Sequence, residues 1–211
     1  MRRITMLAVC TLALVLCAGP AFAQLTDVLK VDYFSNANTS GAPDGTLRVS
    51  NPGTAGGNVI ALFFVFDPEQ EMSECCACNQ TPDDLQTMSV NADLTSNPLT
   101  GVPLTTGAIK ILSVGPVLTG TAASTAKAKG TAVAIRNTVY GIEPSVRAWT
   151  THIQNSNFAE TETASQDATL STAEVIRLGV ECTSILVVGS GHGICSCGSP
   201  AEPEILQPII E

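Results

Sequence analysis

The chain has 211 residues, only 14% of them charged and 4% aromatic, with 19 acidic against 10 basic side chains for a formal charge of −9. An acidic surface repels nucleic acid and anionic lipid headgroups, so neither is expected as a partner. Trp149, Tyr33, Tyr140 and six Phe are the only rings, few for a protein that stacks sugars on exposed aromatics.

The first element is an export signal. Arg2 and Arg3 are followed by an uncharged, mostly apolar stretch over residues 4–16, then Gly19-Pro20 and the small-x-small site Ala21-Phe22-Ala23. That order predicts a cleaved signal peptide over 1–23 and a working protein from Gln24; the stretch is too short for a bilayer anchor. Lipid attachment at Cys17 would require a small residue before it, and Leu16 is not small. No later run is long and apolar enough to span a membrane, so no stable membrane anchor is expected. Removal of 1–23 takes two arginines and no acid, leaving a charge of 8 − 19 = −11 on one domain, 24–199, with a Pro- and Glu-containing tail over 200–211. The expected location is the periplasm, the medium or the cell surface.

Along the working chain the hydrophobic period is mostly two. Residues 28–34 and 46–50 alternate as strands, and Asn51-Pro52-Gly53 turns the chain. Residues 59–66 are nearly all apolar, as a central strand buried on both faces would be. Thr81-Pro82-Asp83-Asp84 resembles a helix start of a turn or two. Residues 108–114 form a further strand candidate, and 120–130 read as a small, polar loop. Residues 131–140 and 146–153 alternate and pair as a hairpin across 141–145. Residues 171–178 carry both helix and strand signals, and 183–188 read as a short strand running into Gly189-Ser190-Gly191-His192-Gly193. Eight or more strands with long loops predict an all-β fold, an Ig-like or Greek-key β-sandwich.

Six cysteines lie beyond the signal: Cys75, Cys76 and Cys78 as a CCxC cluster, Cys182 alone, and Cys195 with Cys197 as CxC. An even count in an exported chain reads first as disulfides. Bridging Cys75 to Cys76, or Cys195 to Cys197, needs a strained ring; pairing each early cysteine with a late one does not. Each such bridge closes a loop of about 100 residues, worth roughly 4–5 kcal/mol in the chain-entropy account. The alternative is a zinc or copper site, with four or more thiolates and His192 as an accessory ligand. The spacing lacks the paired CxxC of a zinc ribbon, and an oxidising compartment competes for the thiols.

Asp67, Glu69, Glu71 and Glu74 set four carboxylates in eight positions, a weak cation site or a solvated acidic loop. Their spacing is not that of an EF-hand. Residues 189–193 lack the order of a nucleophile elbow and the lysine of a P-loop. His152 and His192 are the only histidines for acid–base work near neutral pH, and no flanking motif supports a triad. Asn38-Thr39-Ser40 and Asn79-Gln80-Thr81 fit the N-glycosylation pattern, which matters only in a eukaryotic route.

Three segments resemble a group of secreted hypothetical proteins of soil bacteria. They are residues 47–53 (LRVSNPG), residues 65–78 (VFDPEQEMSECCAC) and residues 85–99, with Ser89-Val90-Asn91 and Asp93-Leu94-Thr95-Ser96-Asn97-Pro98. The group's signature is VFD…QEM.ECC.C followed by SVN.DLT.NP. The resemblance covers about 50 residues; it implies a bacterial, exported protein and assigns no catalytic residue. The sequence therefore predicts a non-enzymatic envelope, matrix or adhesion component with an extracellular or envelope partner and no cofactor. A metal-binding or redox protein using the cysteine clusters is the second reading, and a secreted hydrolase using His152 or His192 the third.

Overall fold

The computed structural model describes residues 25–135, 138–188, 195 and 197. The signal segment, the tail over 200–211 and the glycine-rich stretch with His192 lie outside the described residues. Within them the strands are β1 (Leu25–Phe34), β2 (Thr46–Ser50), β3 (Val59–Phe66), β4 (Met72–Gln80), β5 (Leu85–Ser89), β6 (Gly107–Leu118), β7 (Ala132–Ile135), β8 (Thr138–Ile142), β9 (Arg147–Gln154), β10 (Ala159–Ala164) and β11 (Gln166–Leu170). The helices are α1 (Val90–Asp93), α2 (Gly120–Lys129) and α3 (Thr172–Val188).

The strands form two antiparallel sheets. The larger runs β11-β1-β6-β3-β4, with the β7–β8 hairpin joined to the far half of β6; the smaller runs β10-β9-β2-β5. The fold is a disulfide-cross-linked β-sandwich, as the period-two patterning predicts. It has one further layer. Val59, Ala61, Phe63 and Val65 of β3 face the smaller sheet with Leu47, Val49, Met88 and Ala148. Ile60, Leu62, Phe64 and Phe66 face the other way and pack with Val175, Leu178, Cys182 and Ile185 of α3. The all-apolar run of β3 is thus explained by cover on both faces: sheet on one side, helix on the other.

Helix α3 overrides its own strand propensity. Its β-branched residues cost at most about 0.7 kcal/mol each in a helix, whereas each large apolar side chain buried contributes roughly 1.5–3 kcal/mol. Residues 175, 178, 182 and 185 recur at helical spacing on the docked face. Charge adds to the seat: Lys110 of β6 pairs with Glu174, Arg177 meets Glu181 at 3.2 Å, and both cations lie over the Phe66 ring at 4.9 and 5.4 Å. Residues 183–188, expected as a strand, are therefore the last turns of this helix.

Three other expectations change. Residues 120–129 form a helix instead of a loop, closed by Gly130 at φ 66° with its N–H bonded to the carbonyls of Ala126 and Lys127. None of its side chains is buried, so no apolar period marked it. Residues 131–140 do not pair with 146–153: β7 turns straight back on β8, and β9 crosses to the other sheet between β2 and β10. Residues 81–84 form a turn, with Asp83 at φ 65° and its N–H bonded to the Asn51 carbonyl. The single helical turn comes later, at α1, where Ser89 Oγ accepts from Ala92 N–H and Asp93 accepts from Ser89 N–H. Among the described residues no helix is long and apolar enough to cross a membrane.

Candidate functional site

The cysteines converge on β4, an edge strand. Alternation along a strand sends Cys75 to the α3 side and Cys76 and Cys78 to the side facing the smaller sheet. Cys75 is bonded to Cys182 in α3, Cys76 to Cys195 and Cys78 to Cys197, with Cα–Cα separations of 5.6, 5.5 and 5.6 Å. Each early cysteine thus takes a late partner, as strain avoidance requires. The first bridge bolts the helix to the sheet. The other two hold Cys195 and Cys197 against the open side of the sandwich, where Gln86 Nε2 of β5 donates to the Cys197 carbonyl at 2.8 Å. Cys197 therefore touches the edge strands of both sheets. A disulfide sulfur carries no thiolate charge, so in this state the six cysteines offer no ligand set for zinc or copper. The sulfurs of Cys76 and Cys78 nonetheless lie 3.8 Å apart.

The four carboxylates before this cluster do not act together. Asp67 accepts the Glu71 N–H in the β3–β4 turn at 2.8 Å, and Glu69 and Glu71 are exposed. Glu74 shares the inward face of Cys76 and Cys78 and is 2% exposed. It accepts a hydrogen bond from Ser96, while its second oxygen has no partner. Burial pushes its carboxyl up to about 8; the Ser96 bonds oppose this and the Asp93 charge adds to it. Among the described residues, the group of three or more metal-capable side chains with converging ligand atoms is Cys76, Cys78 and Cys197, not these acids. Of the four acids, Glu69 and Glu71 are exposed, Asp67 is part-buried in the turn and Glu74 alone is buried.

His152 lies in β9 as a strand residue, 2% exposed, at the seam with β1. Its Nε2 meets Thr163 Oγ1 at 2.7 Å and Asp32 Oδ1 at 3.4 Å, while Nδ1 is buried without a partner. Asp32 also accepts from Ser165 Oγ and from Tyr33 N–H, and the Tyr33 ring stacks on the imidazole at 4.2 Å. An acid, a histidine and hydroxyls are present together, with no local motif to announce them. The order is not that of a proton relay, since acid and hydroxyl meet the same ring nitrogen. The cluster joins β1, β9 and β10 at the seam through polar contacts of the Nε2 side of the ring.

A groove of about 290 Å³ runs between the β3–β4 turn and the end of α3, lined by Met72, Leu99, Ile185 and Val188 with Glu71 and Glu181 at its polar side. Burial raises the Glu181 carboxyl above its ordinary range, against the lowering effect of Arg177. No protein family, characterised protein or solved structure matches the chain.

Proposed function

We propose that the chain is an exported bacterial protein acting without catalysis as a disulfide-braced β-sandwich of the envelope, extracellular matrix or an adhesive layer. The observation that carries the reading is the set of three bridges from one edge strand to the last third of the chain. Such bridges persist in oxidising compartments and not in a reducing cytosol. They brace the helix and the edge strand β4. The acidic surface keeps such a protein dispersed and favours a neutral or basic partner.

The test is fractionation of cells producing the full chain, with intact mass and thiol alkylation of the product. The expected protein lacks residues 1–23, has no free thiol, is lighter than its reduced form by two hydrogens per bridge, and cofractionates with envelope or matrix material. Cytoplasmic retention with free thiols overturns the proposal. So does hydrolysis of ester, peptide or glycoside substrates that His152→Ala abolishes in a folded protein.

A further inference from the structure

Two of the three bridges lie side by side on one face of β4, and three of their four sulfurs form a compact group. Cys76 Sγ and Cys78 Sγ are 3.8 Å apart, and the Sγ atoms of Cys76, Cys78 and Cys197 all lie within 4.8 Å of one another. The fourth sulfur, that of Cys195, is bonded to Cys76. We propose that the Cys76–Cys195 and Cys78–Cys197 bridges are the oxidised form of a tetrathiolate site that, once reduced by a dithiol, binds one zinc or copper(I) ion.

Three of the four sulfurs are already grouped as the ion needs, and Cys195 is brought to it through its bond to Cys76. Zinc–sulfur bonds of about 2.3 Å in a tetrahedron set sulfur–sulfur edges of about 3.8 Å. The Cys76–Cys78 edge already has that length. When a bridge opens, its two sulfurs part from about 2.0 Å to the same edge. Small side-chain rotations achieve this over Cα atoms that stay 5.5 and 5.6 Å apart. Gln86 Nε2 of β5 also donates to the Cys197 carbonyl, a second contact for that residue besides its bridge. Cys75 and Cys182 do not belong to the site, because Cys75 points to the opposite face, toward α3. Soft thiolates suit both zinc and copper(I), the shared chemistry being a thiophilic ion with a filled d shell.

The step balances. Each bridge accepts two electrons and two protons from one dithiol, which closes to its own disulfide through a mixed-disulfide intermediate. The four thiols then lose protons to solvent as the ion binds. The inference goes beyond bracing: bracing requires closed bridges, and the site requires open ones. The native mass tests the first and metal uptake the second, so either can fail alone.

The exported product, from Gln24 onward, is reduced anaerobically with a dithiol, desalted, and offered zinc in one arm and copper(I) in another, with bound metal counted after a second desalting. One ion per chain is expected in at least one arm for the wild type and for C75S/C182S. The oxidised protein and C78S/C197S should hold less than a tenth of that. Near-UV circular dichroism identifies the folded variants, and C75S/C182S reports whether loss of any bridge is enough to abolish binding. The proposal is overturned if neither ion binds the reduced wild type. It is also overturned if C78S/C197S binds as much as the wild type, or if C75S/C182S, still folded, binds none.

Discussion

Glu74→Gln gives the sharpest test of the interior, because a buried acid held neutral makes the fold lose stability as pH rises. In the folded chain the carboxyl titrates at about 8, against 4.5 in the ordinary state that the unfolded chain approximates. Below pH 4.5 both states hold the proton and the acid costs nothing in charge. Between 4.5 and 8 the unfolded state has released its proton and the folded state has not, so unfolding gains with each unit of pH. From pH 5 to pH 8 the loss is about 3 kcal/mol on the scale of 1.36 kcal/mol per unit. Glutamine keeps the shape and the oxygen that accepts from Ser96, but places an unpartnered amide N–H₂ where Glu74 has its lone oxygen. That costs about 1–3 kcal/mol at every pH. The variant should therefore be the less stable protein at pH 5, and equal or more stable at pH 8. Urea unfolding with bridges intact, at several pH values, measures the difference. If wild type and variant keep the same gap throughout, Glu74 is not held neutral and its account here fails.

Replacing both partners of the helix bridge, C75A/C182A, should lower stability by roughly 3 kcal/mol, because with the Cys76–Cys195 bridge closed the loop it adds spans only about 14 residues in the chain-entropy account. It should raise amide exchange in α3 before the β3–β6 pairing, as hydrogen exchange read by mass spectrometry would report; a change under about 1 kcal/mol contradicts the bolting role. Gly130→Ala forces a side chain into a left-handed backbone and drives its Cβ into Thr172 at the start of α3. A loss of about 1–2 kcal/mol is expected from thermal unfolding, and an unchanged midpoint would show that the two helices are not in contact there.

Much of the sandwich was legible because burial wrote it in period two. The unbroken run of β3 identified a strand covered twice, and the strain of bridging adjacent cysteines pointed Cys75, Cys76 and Cys78 to late partners. Helix α3 was hidden because Ile176, Val180, Val187 and Val188 add apolar, mostly β-branched residues outside its docked face, blurring the 3.6-residue spacing of Glu174, Arg177 and Glu181. Strands β10 and β11 were missed for the opposite reason: their Thr, Glu and Gln side chains are mostly exposed on edge strands, and little is buried to set a pattern. The signal for Glu74 was present in parity, since positions 74, 76 and 78 share one face of a strand. The Asp32–His152 seam had no local trace, because 120 residues separate its members.

The late position of Cys182, Cys195 and Cys197 has a consequence for any chain threaded N-terminus first through a translocation pore. Cys75, Cys76 and Cys78 reach the far side 107 to 119 residues ahead of their partners. In that interval the thiols at hand are their own neighbours, which ring strain disfavours, or those of other chains. β4 can be fastened only when nearly the whole chain has emerged, so synthesis that stops short of Cys182 leaves three unpaired sulfurs on an exposed edge. Such a product would cross-link to its neighbours, and the completed C-terminal third is in effect the latch that certifies a finished molecule.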